Sequence, residues 1–203
     1  MTDKPLSEAL GELAAARRGR AEADRGGGGV SSTAAISHDG LYRWSLERRW
    51  DHRPSLGFVM LNPSTADADV DDPTIRRCIG FAQREGHGGI YVVNLYALRA
   101  TKPAHLLDYP DPEGHANVGA FMALPERVVV AYGAHVSMGG LPASKAAQWL
   151  RDEARQRHIL YCLGITKDGH PRHPLYVRGD TPLLCWPSLC DPEAALGLIA
   201  EAQ

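Results

Sequence analysis

The sequence predicts an α/β protein, a three-layer α/β/α sandwich around a mainly parallel central sheet, with an antiparallel hairpin at its N-terminal edge. Three observations lead there. Short apolar runs alternate with segments of helical composition. The runs at 90–95 (IYVVNL), 127–132 (RVVVAY) and 159–163 (ILYCL) are β-branched or aromatic and almost uncharged, as strands covered on both faces are. Between the last two runs, 143–157 is helical, with Ala143, Ala146, Ala147, Leu150 and Ala154 on one side, and strands alternating with helices mean a mainly parallel sheet.

Each element has its own signal. Residues 6–23 have helical composition, but Gly11 and Gly19 weaken it and the apolar stripe is narrow. Gly26–Gly29 and Val30–Thr33 have linker chemistry, so residues 1–37 read as a flexible or partly helical tail. A single domain over 38–203 follows. Segments 41–49 and 56–61 are strand-like, and the short turn Asp51–Pro54 predicts that they pair as the antiparallel hairpin. Asp72-Pro73 opens a helix, since Asp caps and Pro fits the first helical position. That helix groups Ile75, Cys78, Ile79 and Ala82, turns Arg76, Arg77 and Arg84 outward, and ends at Gly86, Gly88 and Gly89. Residues 143–157 form a later helix, 183–186 a last short strand, and Asp191-Pro192 a terminal helix.

Composition narrows the function classes. The 203 residues are 44% hydrophobic and 23% charged, which is ordinary for a globular chain. A net charge of −2 excludes a bulk polycation but leaves room for a local basic cleft. No apolar run approaches a bilayer span and no leader is evident at Met1, so membrane and secretory readings are set aside. Four scattered cysteines make no disulfide framework, and a reducing cytoplasm is the expected location.

Ligands of open α/β sheets bind beyond the carboxyl ends of the strands. Those positions here hold Asn62-Pro63-Ser64-Thr65, then Asn94, Tyr96, Arg99 and Lys102, then Gly133 and His135, and finally Lys167 and His170–His173. Asn62 either caps a turn before Pro63 or serves a ligand. Asn94 lies inside an apolar strand, so its amide is either satisfied structurally or reads a ligand. The acidic run Asp67–Asp72 reads better as a solvated loop ending in a helix cap than as a metal site. His170, His173, Cys185 and Cys190 mimic a zinc array, but Pro171, Pro174 and the apolar setting of Cys185 oppose it. No metal and no cofactor are expected.

The strings YRWSLERRW, FVMLNPSTADADVDDPTIRRCIGFA, VVNLYALRAT and GHPRHPLYV together resemble the bacterial and phage family called domain of unknown function 1643, over about residues 41–186. The same ordered set is similar, more distantly, to the uracil-DNA glycosylase superfamily. Members of that superfamily carry a G-x-N-P-G-like motif after a strand, an Asn ending a later strand, a strand ending in Gly, and an H-P-S-P-like loop. The matching residues are Leu61–Ser64, Asn94, Gly133 and His173-Pro174. Met60 and Ser64 replace the first motif's glycines, and Leu175-Tyr176 replace Ser-Pro.

The resemblance implies a glycosylase-like fold and hydrolysis of the N-glycosidic bond of a modified or deaminated base in DNA or a nucleotide. It makes His173 the hydrogen-bond donor to the departing base, and Asn62 the group that orients water. Asn94 would read the base edge, with Tyr96 as a stacking face. Ser64 and Thr65 would hold a phosphate, aided by Arg99, Lys102, Lys167 or Arg172. Two alternatives stand beside this one. The first is a non-catalytic nucleotide or modified-nucleic-acid sensor, and the second a metal-dependent phosphohydrolase using Asp67, Asp69, Asp71 or Asp72 with His170.

Overall fold

Among the described residues, seven strands hydrogen-bond into one mixed sheet. They are β1 (Ser31–Ile36), β2 (Arg43–Arg49), β3 (Ser55–Met60), β4 (Gly89–Asn94), β5 (Arg127–Val130), β6 (Ile159–Cys162) and β7 (Leu184–Cys185). The order across the sheet is β1-β2-β4-β3-β5-β6-β7. The central four, β4-β3-β5-β6, are parallel, and β1, β2 and β7 run antiparallel to their neighbours. Four α-helices among the described residues accompany them: α1 (Pro73–Arg84), α2 (Asn117–Phe121), α3 (Lys145–Asp152) and α4 (Ala154–Arg157). This computed structural model describes residues 31–64, 66–152 and 154–186. The helical segment read over 6–23, the glycine linker, Thr65, Cys190 and the helix read from Asp191 lie outside the described residues.

Every residue of β3 and β4 is buried, as strands in the middle of a covered sheet must be. Each face carries its own apolar cluster. On one, Leu46, Phe58, Val92 and Val129 pack with Ile75, Cys78, Phe81 and Ala82 of α1. On the other, Val59, Val93, Val128 and Val130 pack with Phe121, Trp149 and Leu150. Helix α1 starts where its cap signal puts it: Asp72 Oδ1 accepts from Ile75 N at 2.8 Å, and Pro73 follows. It stops before Gly86, whose φ of 77° suits glycine. Burial of Ile75 and Phe81 holds the helix to the sheet with about 2 kcal/mol each.

Two expectations are corrected. Residues 31–36 are not linker: they pair with β2 from Ser31 opposite Arg49 to Ile36 opposite Arg43. Small and polar, SSTAAI becomes a strand because β2 offers it a free edge, which is context and not propensity. The hairpin between 41–49 and 56–61 is not formed either. These strands do run in opposite directions, but β4 lies between them, pairing with β2 through Leu46 opposite Val92 and with β3 through Phe58 opposite Val92. Gly88 lets β4 enter: its N–H donates to Pro54 O at 3.1 Å, and a Cβ there would stand 2.0 Å from Asp51 Oδ1. A glycine read as a helix stop thus opens the gap in what looked like a tight turn.

Candidate functional site

A cavity of about 820 Å³ opens at the carboxyl ends of the parallel strands, on the side of α1. The chain ends β3 at Met60, β4 at Asn94 and β5 at Val130, two residues before Tyr132, and the side chains of Met60, Asn94 and Tyr132 line it. The start of α1 (Asp72, Pro73, Thr74, Ile75) and the loop carrying Lys167, Arg172 and His173 complete the walls. Close approach of two of these segments depends on Gly133, at φ 75°, where a Cβ would stand 3.3 Å from His173 Cβ.

Asn94 lies in the floor. It is 1% exposed, and neither Nδ2 nor Oδ1 has a hydrogen-bond partner. Its main chain is fixed from the opposite face, where Asn117 Nδ2 donates to Asn94 O at 2.8 Å and to Leu95 O at 3.0 Å. A buried amide with nothing to bond costs on the order of 1–3 kcal/mol per polar group. That cost is recovered when a guest presents one acceptor and one donor.

Asn62, partly buried on the wall, spends both amide hydrogens on main-chain carbonyls, Pro63 O at 3.0 Å and Ala100 O at 2.7 Å. The side-chain oxygen is thereby fixed as the group available to a water. The turn reading and the ligand reading of this residue are compatible, since the bonds that hold the loop also orient the amide.

His173 is half-buried, and its Nδ1 accepts from Leu175 N at 3.3 Å. An accepting Nδ1 carries no proton, so the neutral ring holds its proton on Nε2. Burial pushes the ring's pKa down to about 4, against the pull of the Asp72 carboxylate and with a small push from His135. At neutral pH this is an uncharged donor.

The structure brings Asn62, Ser64, Asn94, Lys102, Lys167, Arg172 and His173 to this one cavity. Lys102, Lys167 and Arg172 are exposed at its mouth. Two of the predicted residues are elsewhere. Tyr96 is 3% exposed in the core of the opposite face, and its hydroxyl donates to Pro142 O at 2.8 Å. The chain leaves the ladder at Asn94, so strand alternation no longer returns Tyr96 to the cavity face. Arg99 does not line the cavity and donates to Gly40 O at 3.2 Å. The acidic run is engaged in local structure: Asp67 Oδ1 accepts from Asp69 N and Val70 N, Asp71 pairs with Arg48 at 2.8 Å, and Asp72 caps α1. His170 Nε2 lies 2.6 Å from Ser137 Oγ, and Cys185 is exposed on β7.

Among the lining residues that the sequence does not single out, Tyr132 and Arg43 carry the most chemistry. Tyr132 supplies an aromatic side chain on the cavity wall. Its signal was its place, the last side chain before Gly133 at a strand end. Arg43 is 2% exposed, donates from Nη1 to Ala66 O at 2.8 Å, and has a buried Nε without a partner. Burial lowers its pKa to about 10, so it remains a cation at neutral pH. A register shift on β1–β2 between Ala35 and Ile36 leaves Trp44 as an extra residue. Trp44 turns to the opposite core, and Arg43 turns onto the cavity.

No helix among the described residues is long and apolar enough to cross a membrane. No curated protein matches the chain, and no solved structure does. A family model described as protein of unknown function (DUF1643) matches residues 43–175, from Arg43 on the cavity floor to Leu175 on its rim. That span is more than half of the chain, and the protein belongs to this family.

Proposed function

We propose that the cavity is a nucleobase pocket in which the N-glycosidic bond of a modified or deaminated base, in DNA or in a nucleotide, is hydrolysed. The observation that carries this is the buried Asn94 amide, unpartnered in a cavity that also holds a neutral histidine and an oriented amide oxygen. A planar lactam edge supplies the donor and acceptor that Asn94 lacks. As the C1′–N bond breaks, its electron pair leaves on the base, where His173 Nε2–H donates to the oxygen that gains charge. Asn62 Oδ1 holds the water whose oxygen bonds to C1′. The water's proton passes to solvent and the base is protonated in turn, so the sum is hydrolysis.

Lys102, Lys167 and Arg172 at the mouth suit a phosphate, and Tyr132 takes the stacking role first read for Tyr96. In this reading the helices on the two faces make a glycosylase-type three-layer sandwich, and the enzyme acts in the cytoplasm, in DNA repair or nucleotide clearance, without a cofactor. The resemblance of the Asn62, Asn94, Gly133 and His173 motifs to the uracil-DNA glycosylase superfamily supports it. The test is incubation with nucleosides, nucleotides and oligonucleotides bearing uracil, hypoxanthine or xanthine, followed by chromatography for free base and alkaline heating for abasic sites. Base release is expected. Intact substrates throughout, from a protein shown to be folded, would end the proposal.

Met60 favours a second reading. Its side chain occupies cavity wall where the resembling motif has glycine, which suits holding a ligand more than reaching its sugar. A non-catalytic nucleotide sensor would be stabilised by such ligands in thermal shift and would leave them unchanged.

A further inference from the structure

Helix α1 acts on the His173 segment through the charge of its cap, Asp72, and also through a direct contact. One turn after Asp72, Arg77 reaches across to the short 3-10 turn Pro174–Tyr176 that follows His173. Its Nε donates to Pro174 O at 3.2 Å and its Nη2 to Val177 O. The two carbonyls bracket the turn, and a forked guanidinium is the side chain that can hold both at once. The guanidinium also lies 5.2 Å from the Phe81 ring centroid, which fixes its direction from below. Within the turn, Tyr176 N donates to His173 O at 3.0 Å and Leu175 N donates to His173 Nδ1.

The second of those bonds sets the imidazole tautomer. If the turn opens, Leu175 N leaves Nδ1, and the proton is free to sit on either nitrogen. From these contacts we infer that Arg77 is a positioning residue: it holds the turn closed so that His173 presents Nε2–H to the cavity. The inference rests on the reading of His173 as the donor to the base. Arg77 acts through geometry, since it bonds carbonyls and not the ring. The charged or titratable groups that do act on the ring are Asp72 at the start of α1 and His135 of the 3-10 turn Ala134–Ser137, while Tyr176 lies with its ring centroid 5.6 Å away.

Arg84 provides the control. It too lies over Phe81, at 5.0 Å, and donates to the same loop, but to Gly179 O, beyond the turn. Losing it loosens the loop without freeing Leu175 N. The experiment is nitrogen NMR of the His173 ring in the ligand-free full chain, across pH 4 to 8, for the wild type, Arg77→Met, Arg77→Lys and Arg84→Met. In the wild type and Arg84→Met the ring should stay neutral with its proton on Nε2 down to about the pH where burial holds it. In Arg77→Met it should show both tautomers and titrate closer to an ordinary histidine, with base release, where measured, falling about tenfold or more. Arg77→Lys, which reaches one carbonyl, should fall between, and it keeps the test open if the methionine variant does not fold. An unchanged His173 signal in both Arg77 variants, or an equal change in Arg84→Met, would overturn the inference. Because no substrate is needed, a clean Arg77 effect in a protein that releases no base leaves the positioning intact and removes only the glycosylase reading.

Discussion

Asn94 and Asn117 stand back to back across the sheet, 1% and 0% exposed, and are treated in opposite ways. Asn117 uses both amide hydrogens to tie down the carbonyls of Asn94 and Leu95, leaving its own Oδ1 as the atom without a partner. Asn94 receives that anchoring and gives nothing back: its amide faces the cavity with no bond at all. The contrast extends to the regions around them. On the far side, Ser144 Oγ donates to Leu95 O at 3.0 Å, and Glu113 accepts from Lys145 N and Ala146 N to cap α3. On the α1 side, Arg43 Nε joins the Asn94 amide among the buried atoms without partners. The far face also keeps unpartnered atoms, Asn117 Oδ1 and the indole N–H groups of Trp44, Trp149 and Trp186, but these are buried in packed surroundings. The Asn94 amide instead has both ends unpartnered and lines a cavity, the arrangement that a guest would complete.

The sharpest way to break that comparison is to exchange each asparagine for leucine. Asn94→Leu should abolish recognition, lowering base release or ligand binding by about 100-fold or more, while leaving the melting temperature unchanged or higher. Removing a polar group that the folded protein leaves unsatisfied takes away a cost. Asn117→Leu should do the reverse, with a loss of roughly 2–3 kcal/mol in denaturant unfolding because two buried hydrogen bonds disappear. Any loss of binding should then track the loss of fold. A large destabilisation in Asn94→Leu would show that its amide is structural.

A smaller effect is expected from His173, and its sign follows from the burial that depresses its pKa to about 4. The unfolded chain takes up the proton first, near pH 6.5. The histidine's contribution is therefore fully present above 6.5, declines as pH falls between 6.5 and about 4, and is absent below that. Melting temperatures of the wild type and His173→Leu, followed from pH 7 to 4, should show a shallower acid decline in the variant. Parallel curves would mean that the ring is solvated and belongs with the surface histidines.

How much of this was legible in the sequence depends on whether a position's environment is set locally. Asn94 announced itself because an amide in IYVVNL has no cheap bland explanation, and Asp72-Pro73 because a cap and its proline are neighbours. Arg43 was hidden by a single extra residue. Strict alternation through YRWSLERR would put Arg43 opposite Leu46 in parity and Trp44 with it, and only the shift against β1 reverses them. Arg77 turns away from the sheet, so the helix pattern alone predicts it to face solvent, but a loop 97 residues further along the chain comes to lie against it. The same lack of long-range information produced the false hairpin, whose short turn was genuine while the strand inserted beside it came from another part of the chain.

The smallest expected effect sharpens the comparison from the other side. Tyr96 follows Asn94 by two residues, which in a continuing strand would set both on one face. Its ring packs instead among the residues that cover the far side, and its hydroxyl donates to Pro142 O just before α3. Burial, reinforced by Glu113, raises its pKa, so the phenol stays protonated and keeps donating at any working pH. Pro142 itself is exposed, so water can replace the lost donor at its carbonyl. Tyr96→Phe should therefore cost about 1 kcal/mol or less in unfolding free energy and leave ligand affinity and base release unchanged. A fall in affinity of more than a few-fold at unaltered stability would put the phenol back on the guest's side of the sheet, and the contrast between the packed face and the cavity face would no longer hold.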